Sequence, residues 1–282
     1  MTETKWDQRI RRAAELASSY PFAAEGLRFY ERIATFQKNF YGEIQKNLTG
    51  TPKISADRPL RDEFDLFLLL PKFSEFLALI RQISPPPVAV LATEVEREGP
   101  MGWQHRIEEF WFQDLATTVS PGLMSPDDEV GTTGADSLLP WIFLQPYAEY
   151  LADHRELAQI NGTPSVCPVC GSKPIVGVLR PEGNGAKKSL ICMLCAHEWA
   201  FRRIYCPACG EEREPHMAFY SAPEIPHIRV DVCETCRTYT KSVDLTKVGS
   251  AIPVVDELAA LPFDLWAREN GYHKLQISPV GI

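Results

Sequence analysis

The chain has 282 residues, 45% of them hydrophobic and 23% charged, with a formal net charge of −8. This is the composition of a folded globular protein of one large or two ordinary domains, and it excludes a disordered chain, a collagen and a coiled-coil rod. The acidic balance argues against a protein that lives on nucleic-acid phosphates, because that affinity is carried by surplus Lys and Arg.

Residues 1–160 are expected to form a mainly helical domain. Trp6, Ile10, Ala13 and Ala17 recur at helical spacing, as do Leu27, Tyr30, Ala34, Tyr41, Ile44 and Leu48 in a longer segment after Pro21. A third segment carries Leu60, Phe64, Phe67, Leu68, Phe76, Leu77 and Ile80; Pro71 is expected to break or kink it, and Pro85-Pro86-Pro87 to end it. Trp103–Val119 places Ile107, Phe110, Trp111 and Leu115 on one stripe. A polar loop, Ser120–Asp136, then leads to a last helix from Leu138 to Gln159. The aromatic stripes are read as core packing between helices, since no polar group converges on them to make a cofactor pocket.

The longest apolar runs, Phe64–Pro71 and Phe76–Ile80, are far shorter than the roughly 20 residues of a spanning helix. Arg11-Arg12 is followed by no apolar run with a cleavage site, so it is read as the polar face of a helix and not as an export signal. A match to a glycosylation sequon at Asn47-Leu-Thr49 is then a chance match. The expected compartment is the cytoplasm, where clustered cysteines serve as metal ligands or redox groups and not as disulfides.

Residues 161–245 change character. Short β-type stretches appear at Pro174–Leu179, Ser189–Cys192, Trp199–Tyr205, Met217–Ser221 and His227–Val232, punctuated by Gly, Pro and Cys. Gly183-Asn184-Gly185 reads as a hairpin tip, not a phosphate loop. Beyond residue 245 helix returns. Pro253 marks its start, Val254, Leu258, Leu261, Leu265 and Trp266 form one stripe, and Gly271 ends it. Residues 246–282 are thus a helix and tail expected to pack back on the body.

All eight cysteines fall in four Cys-x-x-Cys pairs, Cys167/Cys170, Cys192/Cys195, Cys206/Cys209 and Cys233/Cys236. The gaps between pairs are 21, 10 and 23 residues, the long-short-long pattern of two independent units, 161–203 and 204–245. The units repeat: Cys167-Pro-Val-Cys-Gly and Cys206-Pro-Ala-Cys-Gly lie 39 residues apart, and Trp199 and Tyr239 follow the second pairs. A Cys-x-x-Cys knuckle brings two thiolates to one ion, and the Gly after it permits a left-handed backbone. Two knuckles on a hairpin make a four-sulfur tetrahedron, with sulfur about 2.3 Å from a zinc ion. Cys167, Cys170, Cys192 and Cys195 are therefore expected to hold one ion, and Cys206, Cys209, Cys233 and Cys236 a second. Four thiolates suit zinc or a rubredoxin-type iron equally.

No catalytic residue is assigned. All four positions of each ion are filled, which leaves none open for substrate. His197-Glu198 lacks the second His of a zinc-protease helix, because Phe201 stands in its place. His105, His154, His216, His227 and His273 are isolated, and Asp127-Asp128-Glu129 reads as a solvated loop.

The sequence resembles the formate dehydrogenase accessory (formation) protein family, FdhE. The resemblance rests on Cys167-Pro-Val-Cys-Gly-Ser-Lys-Pro174, Leu190-Ile-Cys-Met-Leu-Cys-Ala-His-Glu-Trp199, Arg203-Ile-Tyr-Cys-Pro-Ala-Cys-Gly210 and Asp231-Val-Cys-Glu-Thr-Cys-Arg-Thr-Tyr-Thr-Lys241. It extends to Phe143-Leu-Gln-Pro-Tyr147 before them and Ile252-Pro-Val-Val-Asp-Glu-Leu-Ala259 after, covering roughly 138–275. The chain departs from the family's pattern after Cys236, where Arg237-Thr238 replaces two glycines and Thr240 a more apolar residue. The resemblance implies a cytoplasmic, non-enzymatic assembly factor. Its partner would be the catalytic, molybdopterin-carrying subunit of a respiratory formate dehydrogenase, bound before export. It also favours iron over zinc at the two Cys₄ sites.

The expected fold class is multi-domain: a helical N-terminal domain, two tandem rubredoxin-like or zinc-ribbon Cys₄ modules, and a C-terminal helix. A redox protein passing electrons to a partner enzyme is the alternative function. A nucleic-acid-binding ribbon is disfavoured, since residues 161–245 carry ten Lys and Arg against nine Asp and Glu.

Overall fold

The computed structural model describes residues 3–48, 53–56, 58–113, 132–156 and 162–278, with the backbone alone for 132–136. Among these, five helices precede the first knuckle. Helix α1 (Lys5–Ser19) opens on a capping box: Thr4 Oγ1 accepts from the Asp7 N–H, and the Asp7 carboxylate accepts from the Thr4 N–H. Helix α2 (Ala24–Asn47) follows a short 3₁₀ turn at Pro21–Ala23 and buries Ile33, Phe40 and Ile44.

Helix α3 (Leu66–Ile83) is capped by Asp65, which accepts from the Leu68 N–H. It runs through Pro71 without ending. The buried stripe Leu69, Phe73, Phe76, Leu77 and Ile80 outweighs the one backbone bond that proline removes. Phe67, expected on the packed face, points to solvent.

Helix α4 (Pro86–Phe112) begins where the triple proline was expected only to stop a helix. Pro86 and Pro87 sit in its first turn, where no N–H is needed. Gly99, at φ 70°, kinks it ahead of Pro100, and the Trp103 indole N–H spans the kink to the Val95 carbonyl at 2.7 Å. Helix α5 (Thr132–Asp153) starts inside the segment expected to be loop. The rest of that loop, with Asp127-Asp128-Glu129, lies outside the described residues, as do Thr49, 114–119 and 157–159. Phe143 of α5 sits at the centre of the helical core, with ring centroids 5.2 Å from Phe40, 5.0 Å from Phe73 and 5.6 Å from Phe76.

The cysteine region is a sheet in the order β3-β2-β1-β6-β5-β4, with β7 beside β6. Strands β1 (Pro174–Glu182) and β2 (Gly185–Cys192) are antiparallel around the Gly183-Asn184 tip, and β3 (Glu198–Ala200) pairs with β2. Strands β4 (Met217–Ser221), β5 (Ile228–Cys233) and β6 (Thr238–Asp244) form an antiparallel meander, with β7 (His273–Lys274) beside the start of β6. Of the expected Trp199–Tyr205 stretch only Trp199 and Ala200 are strand, within β3, and β6 falls where no strand was expected.

The two units are not independent in their backbone. Gly177, Val178 and Leu179 of β1 pair in parallel with Ser242, Val243 and Asp244 of β6, joining both into one sheet.

Two short helices, α6 (Pro253–Ala259) and α7 (Leu261–Glu269), replace the single C-terminal helix expected. The break falls at Ala260, just before Pro262, and it turns Leu265 outward while Val255, Ala259 and Phe263 are buried. Gly271, at φ 74°, follows α7. Helix α6 packs against α1, α2, β1 and β6, so the C-terminal segment touches both the helices and the sheet. No helix among the described residues is long and apolar enough to cross a membrane.

Candidate metal centres

The eight cysteines gather into two sets, Cys167, Cys170, Cys192 and Cys195 (site 1) and Cys206, Cys209, Cys233 and Cys236 (site 2), with the sulfurs of each set within 4.8 Å of one another. Across knuckles the Sγ–Sγ distances are 3.6 Å (Cys167–Cys195) and 3.4 Å (Cys170–Cys192) at site 1. At site 2 they are 3.7 Å for both Cys206–Cys236 and Cys209–Cys233. A tetrahedron with sulfur about 2.3 Å from its centre has an edge of about 3.8 Å, whereas a disulfide would need about 2.05 Å. The sulfurs are spaced to hold one ion at each site.

One backbone device builds all four knuckles. The residue after each second cysteine is left-handed: Gly171 (φ 77°), Ala196 (φ 51°), Gly210 (φ 76°) and Arg237 (φ 56°). The Gly171 and Gly210 N–H groups close back on the Cys167 and Cys206 carbonyls at 2.9 and 3.0 Å. The Leu194 and Ala208 N–H groups point at the sulfurs of Cys192 and Cys206, at 3.3 and 3.4 Å. Arg237 thus takes a left-handed conformation that glycine adopts without strain. It is held there by a hydrogen bond from its guanidinium to the Asn270 carbonyl, by stacking 3.9 Å over Tyr272, and by the His273 N–H donating to its carbonyl at 2.7 Å.

The sulfurs' electrostatics favour a cation. Burial pushes the Cys192 and Cys195 thiols well above their ordinary range, and the Cys206 thiol up as well. At Cys170 burial acts in the same direction, but hydrogen bonding with Cys167, Cys192, Cys195 and Ser172 outweighs it and holds the thiol low. Left to themselves, four sulfurs crowded in a dry site resist carrying four negative charges. A bound cation removes that resistance.

The two sites differ in their surroundings. Site 1 is enclosed, its cysteines between 1% and 6% exposed, and the helices grip both knuckles. Arg61 Nε donates to the Cys170 carbonyl at 3.0 Å, and Arg155 to the Val169 carbonyl at 3.3 Å. The Trp141 indole and the Gln145 amide both donate to the Met193 carbonyl, at 3.0 and 2.9 Å. At site 2, Cys206 and Cys233 are buried, Cys236 is half-buried and Cys209 is exposed. Spacing alone did not reveal Arg61, Arg155, Trp141 or Gln145, because they come from elements remote in the chain.

The charged residues around the sheet are paired. Arg12 of α1 forks onto Asp256 of α6 at 2.6 and 2.9 Å, and His227 Nε2 meets the same carboxylate at 2.9 Å, so His227 is not isolated. Under β6, Lys241 and Lys274 lie 2.9 and 2.7 Å from Glu257 Oε1, and both also reach Asp264. These pairs tie the N- and C-terminal helices to the sheet that carries both sites.

Comparison with known proteins agrees with this arrangement. The family model "FdhE, central domain" matches residues 166–203, and "FdhE, C-terminal domain" matches 204–280. A "Protein FdhE homolog" from Aquifex aeolicus is 31% identical over 140 residues, 49% of this chain and half of that protein. Another from Haemophilus ducreyi is 26% identical over 288 residues, 97% of this chain and 88% of the relative. The crystal structure of the FdhE protein from Pseudomonas aeruginosa superposes with a TM-score of 0.67 at 23% identity, covering 100% of this chain and 96% of that one, which shows a shared fold across the helical part as well as the sheet. Site 1 lies inside the first matched segment and site 2 inside the second, so the chain is similar to the FdhE proteins across both four-sulfur sets.

Proposed function

We propose that the protein is an assembly factor for a formate dehydrogenase. It binds the catalytic, molybdopterin-carrying subunit in the cytoplasm and acts in its maturation without being an enzyme itself. Each Cys₄ set holds one metal ion in this reading, with iron favoured and zinc the alternative. The observation that carries it is the pair of closed four-sulfur sites on one sheet, each inside a segment that matches an FdhE domain model. Four protein ligands leave no position for a substrate, which supports a structural or electron-storing ion. The units 161–203 and 204–245 serve in this reading as two metal modules carried on the helical body.

Affinity capture with the tagged full-length chain, from cells making formate dehydrogenase and kept free of oxygen, tests this reading. Recovery of the catalytic subunit together with two metal equivalents is the expected result; capture without that subunit overturns it. Replacing Cys206 and Cys209 together is expected to unfold the second unit and abolish capture. Electron transfer to the partner is a second reading, favoured by the exposure of Cys209 at site 2. It requires iron and a colour that bleaches on reduction.

A further inference from the structure

The two sites are equal in ligands and unequal in what encloses them. At site 1 each knuckle is gripped from the helical body, by Arg61 and Arg155 on one side and by Trp141 and Gln145 on the other. A further bond, from the Trp199 indole to the Pro164 carbonyl at 2.9 Å, secures the approach to the first knuckle. To open site 1 the sheet must lift off the helices, across a core in which Cys167, Cys192, Leu194 and Trp141 are buried together.

Site 2 is fixed on one side only. Its second knuckle is built into the fold: Cys233 ends β5, and Arg237 is tied to Asn270 and His273. The first knuckle, Cys206–Gly210, is held largely by its own loop. The Cys206 N–H donates to the Glu211 carbonyl at 2.8 Å, and the Gly210 N–H to the Cys206 carbonyl at 3.0 Å. Glu211 reaches across to the Thr235 hydroxyl at 2.8 Å, outside the sulfur cluster. Among the described residues, no hydrogen bond joins this knuckle to the helical body. Cys209, its outer ligand, faces solvent.

Ligand exchange at a four-sulfur site needs an incoming donor to reach the ion and an outgoing thiolate that has somewhere to go. Cys209 offers both at site 2, and nothing comparable exists at site 1. We propose that site 2 is an exchange centre whose incoming ligand is a soft donor, a thiol, entering on the Cys209 side, and that site 1 is inert to exchange while the chain is folded. The step is a substitution without electron transfer: one metal–sulfur bond forms to the incoming thiolate as the bond to Cys209 breaks. The proton released by the incoming thiol is available to the freed Cys209 sulfur. This inference rests on both sets holding an ion.

The test uses the full chain loaded with two zinc equivalents, challenged with excess of the chromogenic chelator 4-(2-pyridylazo)resorcinol, with and without glutathione. Two phases of one equivalent each are expected. The first should be faster by a factor on the order of ten or more, since release at site 1 must wait for local unfolding. Glutathione should accelerate the first phase only. Iodoacetamide added after that phase, followed by peptide mapping, should label Cys206, Cys209, Cys233 and Cys236 and spare the other four. The Arg61→Gln variant should speed the second phase and leave the first unchanged. A single common rate, or first-phase labelling of Cys167, Cys170, Cys192 and Cys195, overturns the inference and leaves the metal reading standing. A chain that takes up no zinc overturns both.

Discussion

The Arg61 guanidinium donates to the backbone carbonyl of Cys170, joining the 3₁₀ turn at Leu60–Asp62 to the first knuckle of site 1. The same group donates to the Trp111 and Gln113 carbonyls and to Ser172 Oγ, while the Trp111 indole donates back to the Arg61 carbonyl at 2.8 Å. One side chain thus closes the end of α4 and braces the metal knuckle together. Replacing Arg61 with Gln strands these acceptors and is expected to cost about 2–3 kcal/mol. The midpoint of urea unfolding, followed by tryptophan fluorescence, reads this directly.

A larger effect is expected at Lys241. It is buried between Glu257 and Asp264 and also donates to the Glu257 carbonyl at 2.7 Å. Lys241→Met leaves two carboxylates under β6 with Lys274 as their remaining ammonium partner. Breaking a buried pair in this way costs about 3–5 kcal/mol. Thermal unfolding should show a lower midpoint for this variant than for Arg61→Gln.

The same cluster sets the response to acid. Burial alone would raise the Glu257 pKa, but the Lys241 and Lys274 charges prevail and bring it from the ordinary 4.5 down to about 2. Asp231 and Asp256 are lowered likewise, against their burial, the first by Lys188 and Arg229 and the second by His227 and Arg12. A carboxylate lowered on folding stabilises the fold fully above its unfolded value and loses that contribution as pH falls towards the folded one. Stability should therefore decline from about pH 4.5 downward. Denaturant midpoints taken across this range check it; a flat profile would contradict it.

Gly171 isolates the cost of the knuckle's left-handed residue. A Cβ built there meets nothing within 4 Å, so Gly171→Ala introduces backbone strain and no clash. Ala196 and Arg237 show that a side chain can stand at the equivalent position. The variant is expected to lose about 1 kcal/mol and to keep both metal equivalents, measured by elemental analysis beside a urea titration.

The cysteine sets were legible because a repeated local spacing encodes them, and most helices because their apolar stripes are local as well. Strand β6 was not. Thr238, Thr240, Lys241 and Ser242 are polar, yet they are buried at the centre of the sheet, and the partners that make this tolerable, such as Glu257, Asp264 and Asp231, lie elsewhere in the sequence. The start of α4 was hidden because a proline pair reads as a stop, although in a first turn it is compatible with a start. The grip on site 1 was invisible for the reason that hid β6: Arg61 and Cys170 are 109 positions apart.

The parallel pairing of β1 with β6 has a consequence for synthesis. When β1 leaves the ribosome β2 soon follows to pair on one side, but the other side has no partner until residues 242–244 arrive. At ordinary translation rates that wait lasts roughly 3–13 s. Arg12 waits longer still, since its carboxylate partner lies 244 positions downstream. The first knuckle pair can be complete, and able to take up its ion, well before the sheet that joins it to the second exists. The direction in which the chain is made thus makes the first sulfur set available before the second.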